Sequence, residues 1–135
     1  MKIDRLDHWV LTVRKIERSC AFYERVLGMK AMTFGKNRKA LLFGNQKINL
    51  HEQGRGPAPR AARPTPGSAD LCFLISTPLS EAITALRSAG VEIVEGPVSR
   101  TGATGPIRSV YLRDPDGNLI ELSNPEKDAT ETSAL

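Results

Sequence analysis

The stretch HWVLTVRKIERSCAFYERVLG, residues 8–28, sets the fold. With Leu6 and Asp7 ahead of it, the segment to Val13 is rich in apolar and β-branched residues and predicts a strand over 6–13. From Lys15 the spacing changes. Ile16, Cys20, Phe22-Tyr23 and Val26-Leu27 recur every three to four residues with Lys15, Glu17, Arg18, Glu24 and Arg25 between them, which predicts a helix over 15–27. Gly28 follows, where a left-handed backbone at a helix end costs glycine little.

The same order returns further on. Asp70-Leu71-Cys72-Phe73-Leu74-Ile75 predicts a strand, Thr77-Pro78-Leu79-Ser80-Glu81 opens a helix, and Gly90 closes it. His8 to Gly28 is 20 residues, and so is Asp70 to Gly90. Three short strands follow each helix, at 30–34, 39–43 and 46–51 in the first half and near 91–95, 107–113 and 118–123 in the second. Gly35-Lys36-Asn37, Gly44-Asn45 and Asp114-Pro115-Asp116-Gly117-Asn118 supply turns. Ile48-Asn49-Leu50 is mirrored by Ile120-Glu121-Leu122 with one residue of slippage. The reading is one α+β domain over 1–125, made of two βαβββ half-repeats, 4–51 and 69–124. Side by side they would form a curved mixed sheet around a cleft, since neither half buries its sheet face alone. The connector 52–68 carries four prolines, excluding helix and central strand, and is either a surface linker or the cover of a cavity. Residues 126–135 are polar and expected to be a disordered tail.

A chain of 135 residues has room for one sizeable core. With 40% hydrophobic and 25% charged residues it is globular rather than disordered. No apolar run nears the roughly 18 residues a membrane span needs, and no signal-peptide pattern precedes the first strand, so a cytoplasmic protein without membrane association is expected. Two cysteines, one in a helix pattern and one in a strand, read as reduced thiols. The net charge is +4, and the tail holds three acidic residues against one lysine, leaving +6 on the rest. The cations are scattered and not interleaved with aromatics, which argues against nucleic acid and for a small anionic molecule.

The repeat singles out four matching places in otherwise apolar strands: His8 and Asp70, Asn49 and Glu121. Alternation puts Asn49 and His51 on one face against Ile48 and Leu50, and sets Glu121 against Ile120 and Leu122. His8, Asp70, Glu121 and one or both of Asn49 and His51 form a nitrogen and oxygen donor set suited to Mn, Fe, Co, Ni or Zn as a divalent ion. Each has a plainer reading: His8 as a hydrogen-bonded strand residue, Asp70 as a strand-start acceptor, His51 as a pocket-rim residue. Arg38, Lys39 and Arg100 are candidates to bind an anionic substrate group, or are solvated surface.

Taken together, DHWVLTV (7–13), FYERVLGM (22–29) and DPDGNLIE (114–121) resemble the signatures of the vicinal oxygen chelate superfamily, which includes glyoxalases, bleomycin-resistance proteins and dioxygenases. NRKAL (37–41), KINLHE (47–52), PTPGS (64–68) and RTGA (100–103) are similar to its glyoxalase domain-containing protein 5 and bacterial virulence-associated subgroup. The resemblance implies a metal site with His8 as first-strand ligand and Glu121 as last-strand ligand. The fifth-strand ligand, commonly His, falls on Asp70. The fourth-strand ligand, commonly Glu or Gln, falls on Asn49, with His51 as its replacement. It also implies a homodimer and glyoxalase-type lyase or isomerase chemistry on a small oxygenated substrate, with a carboxylate, Glu121 or Asp70, moving a proton. Two other activities fit the same fold: ring-cleaving dioxygenase chemistry on His8, His51 and Glu121, and metal-free binding of a small molecule. A plain interaction module is a third reading.

Overall fold

The structure, a computed structural model, describes residues 1–126, so all of the expected tail except Glu126 lies outside the described residues. The order is β1 (His8–Val13), α1 (Ile16–Arg25), β2 (Lys30–Phe34), β3 (Arg38–Phe43), β4 (Gln46–Glu52), β5 (Asp70–Leu74), α2 (Leu79–Ser88), β6 (Glu95–Gly102), β7 (Gly105–Arg113) and β8 (Leu119–Pro125). This is βαβββ twice, as the sequence predicts. Each repeat forms its own four-stranded mixed sheet, β1-β4-β3-β2 and β5-β8-β7-β6, with one parallel pair joining its first and last strands. No described helix is long and apolar enough to cross a membrane.

Two compact units result: Met1–Ala69 together with Asp114–Asn118, and Asp70–Arg113 together with Leu119 onward. In the first, α1 packs on its sheet, burying Cys20 and Tyr23 against a face built by Leu11, Val13, Ile48 and Leu50. In the second, α2 packs on β7 and β8, where Leu79, Ala82 and Leu86 join Val110, Leu112, Ile120 and Leu122 in the core. Each fully buried Leu, Ile or Val contributes roughly 1.5–3 kcal/mol, which gives every sheet one apolar face and leaves the other for polar groups.

The first unit's Asp114–Asn118 segment is held from within. Asp114 accepts from the backbone amides of Asp116 and Asn118 (both 2.9 Å), from the Asn118 side-chain amide (2.8 Å) and from the Tyr23 hydroxyl (2.7 Å). Asp116, its side chain fully buried, accepts from Arg18 (3.0 Å) and from the Arg14 amide (3.2 Å). Gly67 lies against it at φ +81, and a Cβ there would stand 2.6 Å from the Asp116 carbonyl oxygen, so only glycine fits. Burial and Asp114 together push the Tyr23 phenol far above its ordinary value.

One strand departs from expectation. The strand expected near 91–95 is instead Glu95–Gly102, because Gly96-Pro97 reads as a breaker in sequence but forms a register shift between Glu95 and Val98 here. β6 is an edge strand, where a proline costs no ladder hydrogen bond. In the same unit Asn124 caps α2, accepting from the Leu79 amide at 2.7 Å and donating to the Ile75 and Thr77 carbonyls at 3.0 Å.

Candidate functional site

The two ladders set equivalent residues in equivalent places. His8 pairs with Lys47 and Val10 with Asn49; Asp70 pairs with Leu119 and Cys72 with Glu121. In each sheet the last-strand residue therefore lies two rungs beyond the first-strand residue, on the same face. From strand spacing and rise, Asp70 and Glu121 are about 8 Å apart along the backbone, as are His8 and Asn49.

On the first sheet's open face, His8 is half-exposed and its Nδ1 is 2.7 Å from Asp7 Oδ1. A carboxylate oxygen accepts, so Nδ1–H is the donor in this contact and Nε2 is the ring nitrogen left outside it. The same hydrogen bond holds the Asp7 carboxyl below its ordinary range. Asn49 is only 4% exposed, and its Oδ1 is buried without a hydrogen-bond partner. His51 pairs with Thr12, four rungs from His8. That is about 13 Å along the strands, too far for two side chains standing perpendicular to the sheet to meet on one ion. His51 instead faces a cavity of about 190 Å³ under the connector, with its Nε2 buried and unpartnered. Burial first, then Arg38 and Arg60, lower its pKa.

Arg38 shares the His51 face and stacks over Phe34 at 4.8 Å, beside Lys47 at 4.1 Å from the same ring. Lys39, one residue on, points to the helix side, where its Nζ donates to Thr33 Oγ1 at 2.6 Å. The consecutive cations are thus divided between opposite faces by the strand's own alternation.

On the second sheet's open face, Glu121 lies beside Tyr111 and Cys72. Its Oε2 accepts from Ser109 Oγ at 2.5 Å and Ser123 Oγ at 3.4 Å, so neither hydroxyl uses Oε1. Ser123 also contacts Cys72 Sγ at 3.3 Å, and burial raises that thiol's pKa. Arg100 is bound within the sheet: Nε donates to the Tyr111 hydroxyl at 3.0 Å and Nη2 to Glu95 at 3.4 Å. Asp70 is exposed at the start of β5. Among the described residues no group of three or more His, Cys, Asp or Glu side chains is close enough to hold a metal ion.

Sequence reasoning missed Asp7, Ser109, Ser123, Tyr111 and Arg60. Asp7 is a carboxylate directly before a candidate histidine, and Ser109 and Ser123 are polar positions on the same alternation as Glu121, so both signals were present. Arg60 gave none, since its place depends on how the connector folds.

The profile of the Glyoxalase/Bleomycin resistance protein/Dioxygenase superfamily matches residues 5–122. Virulence protein STM3117 of Salmonella typhimurium is 63% identical over 123 residues, covering 91% of this chain and 85% of that protein. Its crystal structure superposes with a TM-score of 0.92, covering 93% of this chain and all of that one at 61% identity. Glyoxalase domain-containing protein RDO1 of Mycosarcoma maydis is 52% identical over 124 residues, covering 92% of this chain and 70% of that one. A fosfomycin resistance protein of Listeria monocytogenes, crystallised with Mn(II), shares the fold at 24% identity and TM-score 0.64, with 93% of each chain covered. A matching profile over nearly the whole described chain, and relatives above half identity, leave one assignment: this chain is a member of the Glyoxalase/Bleomycin resistance protein/Dioxygenase superfamily.

Proposed function

We propose that this chain is a divalent-metal-dependent enzyme acting on a small, anionic, oxygenated molecule by lyase or isomerase chemistry of the glyoxalase kind. The observation that carries this reading is the Asp7–His8 pair: ligating histidines commonly donate their second ring N–H to a carboxylate, which fixes the tautomer and orients the metal-binding nitrogen. Glu121 adds an oxygen donor whose Oε2 is oriented by two hydroxyls. His8, in the first unit, and Asp70 and Glu121, in the second, are the residues that would ligate the ion, a donor set that suits Mn, Fe, Co, Ni or Zn. Mn(II) in the structure of the fosfomycin resistance protein accords with that set. When bound, the ion supplies Lewis acidity toward oxygens of the substrate.

The chain's own residues do the rest. Ser109 and Ser123 fix the Glu121 carboxylate, so a proton taken up at Oε1 arrives at a defined position. Arg38 offers a guanidinium to an anionic group, whereas Arg100 contributes by holding Tyr111 beside Glu121.

Metal content of the purified protein, by mass spectrometry, tests the reading. Near-stoichiometric divalent metal that is lost in both His8→Ala and Glu121→Ala is expected. Asp7→Asn should keep a metal site but weaken it about 10–100-fold. Wild-type protein that binds none of the five ions after reloading ends the metal-enzyme reading and leaves a metal-free small-molecule binder.

A further inference from the structure

Glu121, Ser109, Tyr111 and Arg100 all belong to the second unit. Tyr111 and Glu121 are cross-strand partners on the open face of its sheet, and Ser109, two residues before Tyr111 on β7, shares that face. Ser109 Oγ donates to Glu121 Oε2 at 2.5 Å. β7 thus sets two hydroxyl-bearing side chains beside one carboxylate, and only the first of them is spent on it.

The second hydroxyl is held by Arg100, whose Nε is 3.0 Å from the Tyr111 phenol oxygen. A guanidinium has no acceptor, so the phenol oxygen accepts and its own hydrogen takes no part in that bond. Among the described residues nothing accepts that hydrogen. The guanidinium is anchored in turn. Its Nη2 donates to Glu95 at 3.4 Å, its Nη1 to the Ser99 carbonyl at 3.2 Å, and its centre lies 5.6 Å from the middle of the Tyr111 ring. Arg100 therefore acts as a clamp on the phenol, with most of its own donors committed inside the sheet.

A hydrogen bond received from a cation polarises the phenol and strengthens its O–H as a donor. Such a donor suits an oxygen that carries or gains negative charge. The Glu121 charge also acts on the Arg100 guanidinium, so the carboxylate, the phenol and the cation share one electrostatic neighbourhood. We infer that Tyr111 is a catalytic residue of the site proposed above: its hydroxyl donates to a negatively charged substrate oxygen on the ion, and Arg100 is the positioning residue that holds it there. The inference rests on the metal reading, with Glu121 as a ligand, and adds the donor that reading lacks.

The test uses full-length protein loaded with Zn(II), isotope-labelled at the tyrosine Cζ and titrated with oxalate, an anion that chelates through two adjacent oxygens. The chain has two tyrosines, so Tyr111→Phe assigns both NMR signals, and Tyr23, held by Asp114, is the internal control. Oxalate is expected to move the Tyr111 signal in the zinc-loaded protein and not in the metal-free one, leaving Tyr23 still. In Tyr111→Phe its affinity should fall about tenfold, with zinc content and thermal midpoint unchanged. Arg100→Gln should weaken it about threefold and diminish the Tyr111 shift. Arg108→Gln, which removes a cation of the same hairpin bonded to Ser99, should change neither. Oxalate that binds Tyr111→Phe as tightly as the wild type, or binds without moving the Tyr111 signal, would overturn the inference and leave the metal reading standing. So would zinc-loaded protein that binds no oxalate. An unaltered Arg100→Gln would remove the positioning role, and equal weakening in Arg108→Gln would reduce the effect to net charge. Wild-type protein that takes up no Zn(II) would count against the metal reading itself and take this inference with it.

Discussion

The two sheets share one ladder and fill it with different chemistry. Where the first sheet sets Asn49 beside Ala40, the second sets Glu121 beside Tyr111. Two residues on, His51 stands where Ser123 stands. In the second sheet these polar groups satisfy one another: Ser109 donates to Glu121, contacts Ser123 at 2.7 Å, and Ser123 reaches Cys72. In the first, Asn49 Oδ1 and His51 Nε2 are buried without partners. A one-residue slip would turn every apolar side chain to the wrong face, so burial fixes the register in both repeats. The open face carries no such constraint. Satisfied groups there hold the sheet, whereas partnerless ones contribute no hydrogen bond to it.

The last hairpins differ as well. β3 and β4 are joined by the exposed pair Gly44-Asn45, whereas the segment after β7 is centred on buried Asp114 with its four donors. The largest predicted effect follows. Asp114→Ala strands the Tyr23 hydroxyl, the Asn118 amide and two backbone N–H groups, and should cost on the order of 3 kcal/mol or more in urea unfolding. Asn45→Ala should stay within about 0.5 kcal/mol. Similar losses in the two variants would mean that the hairpins are equivalent and that the anchor contributes little.

Tyr23→Phe sharpens the same contrast through pH and should cost about 1–3 kcal/mol at neutrality. The Tyr23 pKa is raised in the folded state, while in the unfolded chain it lies near its ordinary value of about 10. Above that pH the unfolded chain loses a proton that the folded chain keeps, so stability falls as pH rises. Below it the contribution is complete. Unfolding midpoints between about pH 9 and 11 should decline more steeply in the wild type than in Tyr23→Phe. Parallel curves would show that Tyr23 ionises freely and is not held by Asp114.

The architecture was legible because it rests on periodicity. Ile16, Cys20 and Tyr23 mark a helix, and Ile48-Asn49-Leu50 against Ile120-Glu121-Leu122 marks matching strands, before any contact is known. β6 was misplaced because Val91-Glu92-Ile93-Val94 alternates like a strand while the real edge strand begins with Gly96-Pro97 inside it. Local pattern does not reveal that an edge tolerates proline. The strand faces of the candidate residues were legible to the same depth. The alternation that gives His51 and Glu121 their faces is local, so those faces could be read. The four rungs between His8 and His51 come from the β1–β4 register, which depends on chain closure across about 40 residues. The cavity depends on a connector without periodicity, so Arg60 comes to line the same space as His51 by tertiary folding alone.

The smallest effects test the comparison most directly. Asn49→Leu replaces a buried, partnerless amide with an apolar side chain of similar volume. It should leave stability unchanged or raise it by up to about 1–2 kcal/mol, since the lost group formed no hydrogen bond and the new one favours burial. Ser109→Ala on the second sheet should lower stability by about 1 kcal/mol, because Glu121 Oε2 and Ser123 both lose a neighbour with which they are paired. Opposite signs from these two substitutions, in urea titrations of the EDTA-treated protein, would separate the sheets as described. A loss of more than about 1 kcal/mol in Asn49→Leu would mean that Oδ1 has a partner in solution even without metal. The first sheet would then be as internally satisfied as the second, and the contrast between a face that holds itself and a face with partnerless groups would fail.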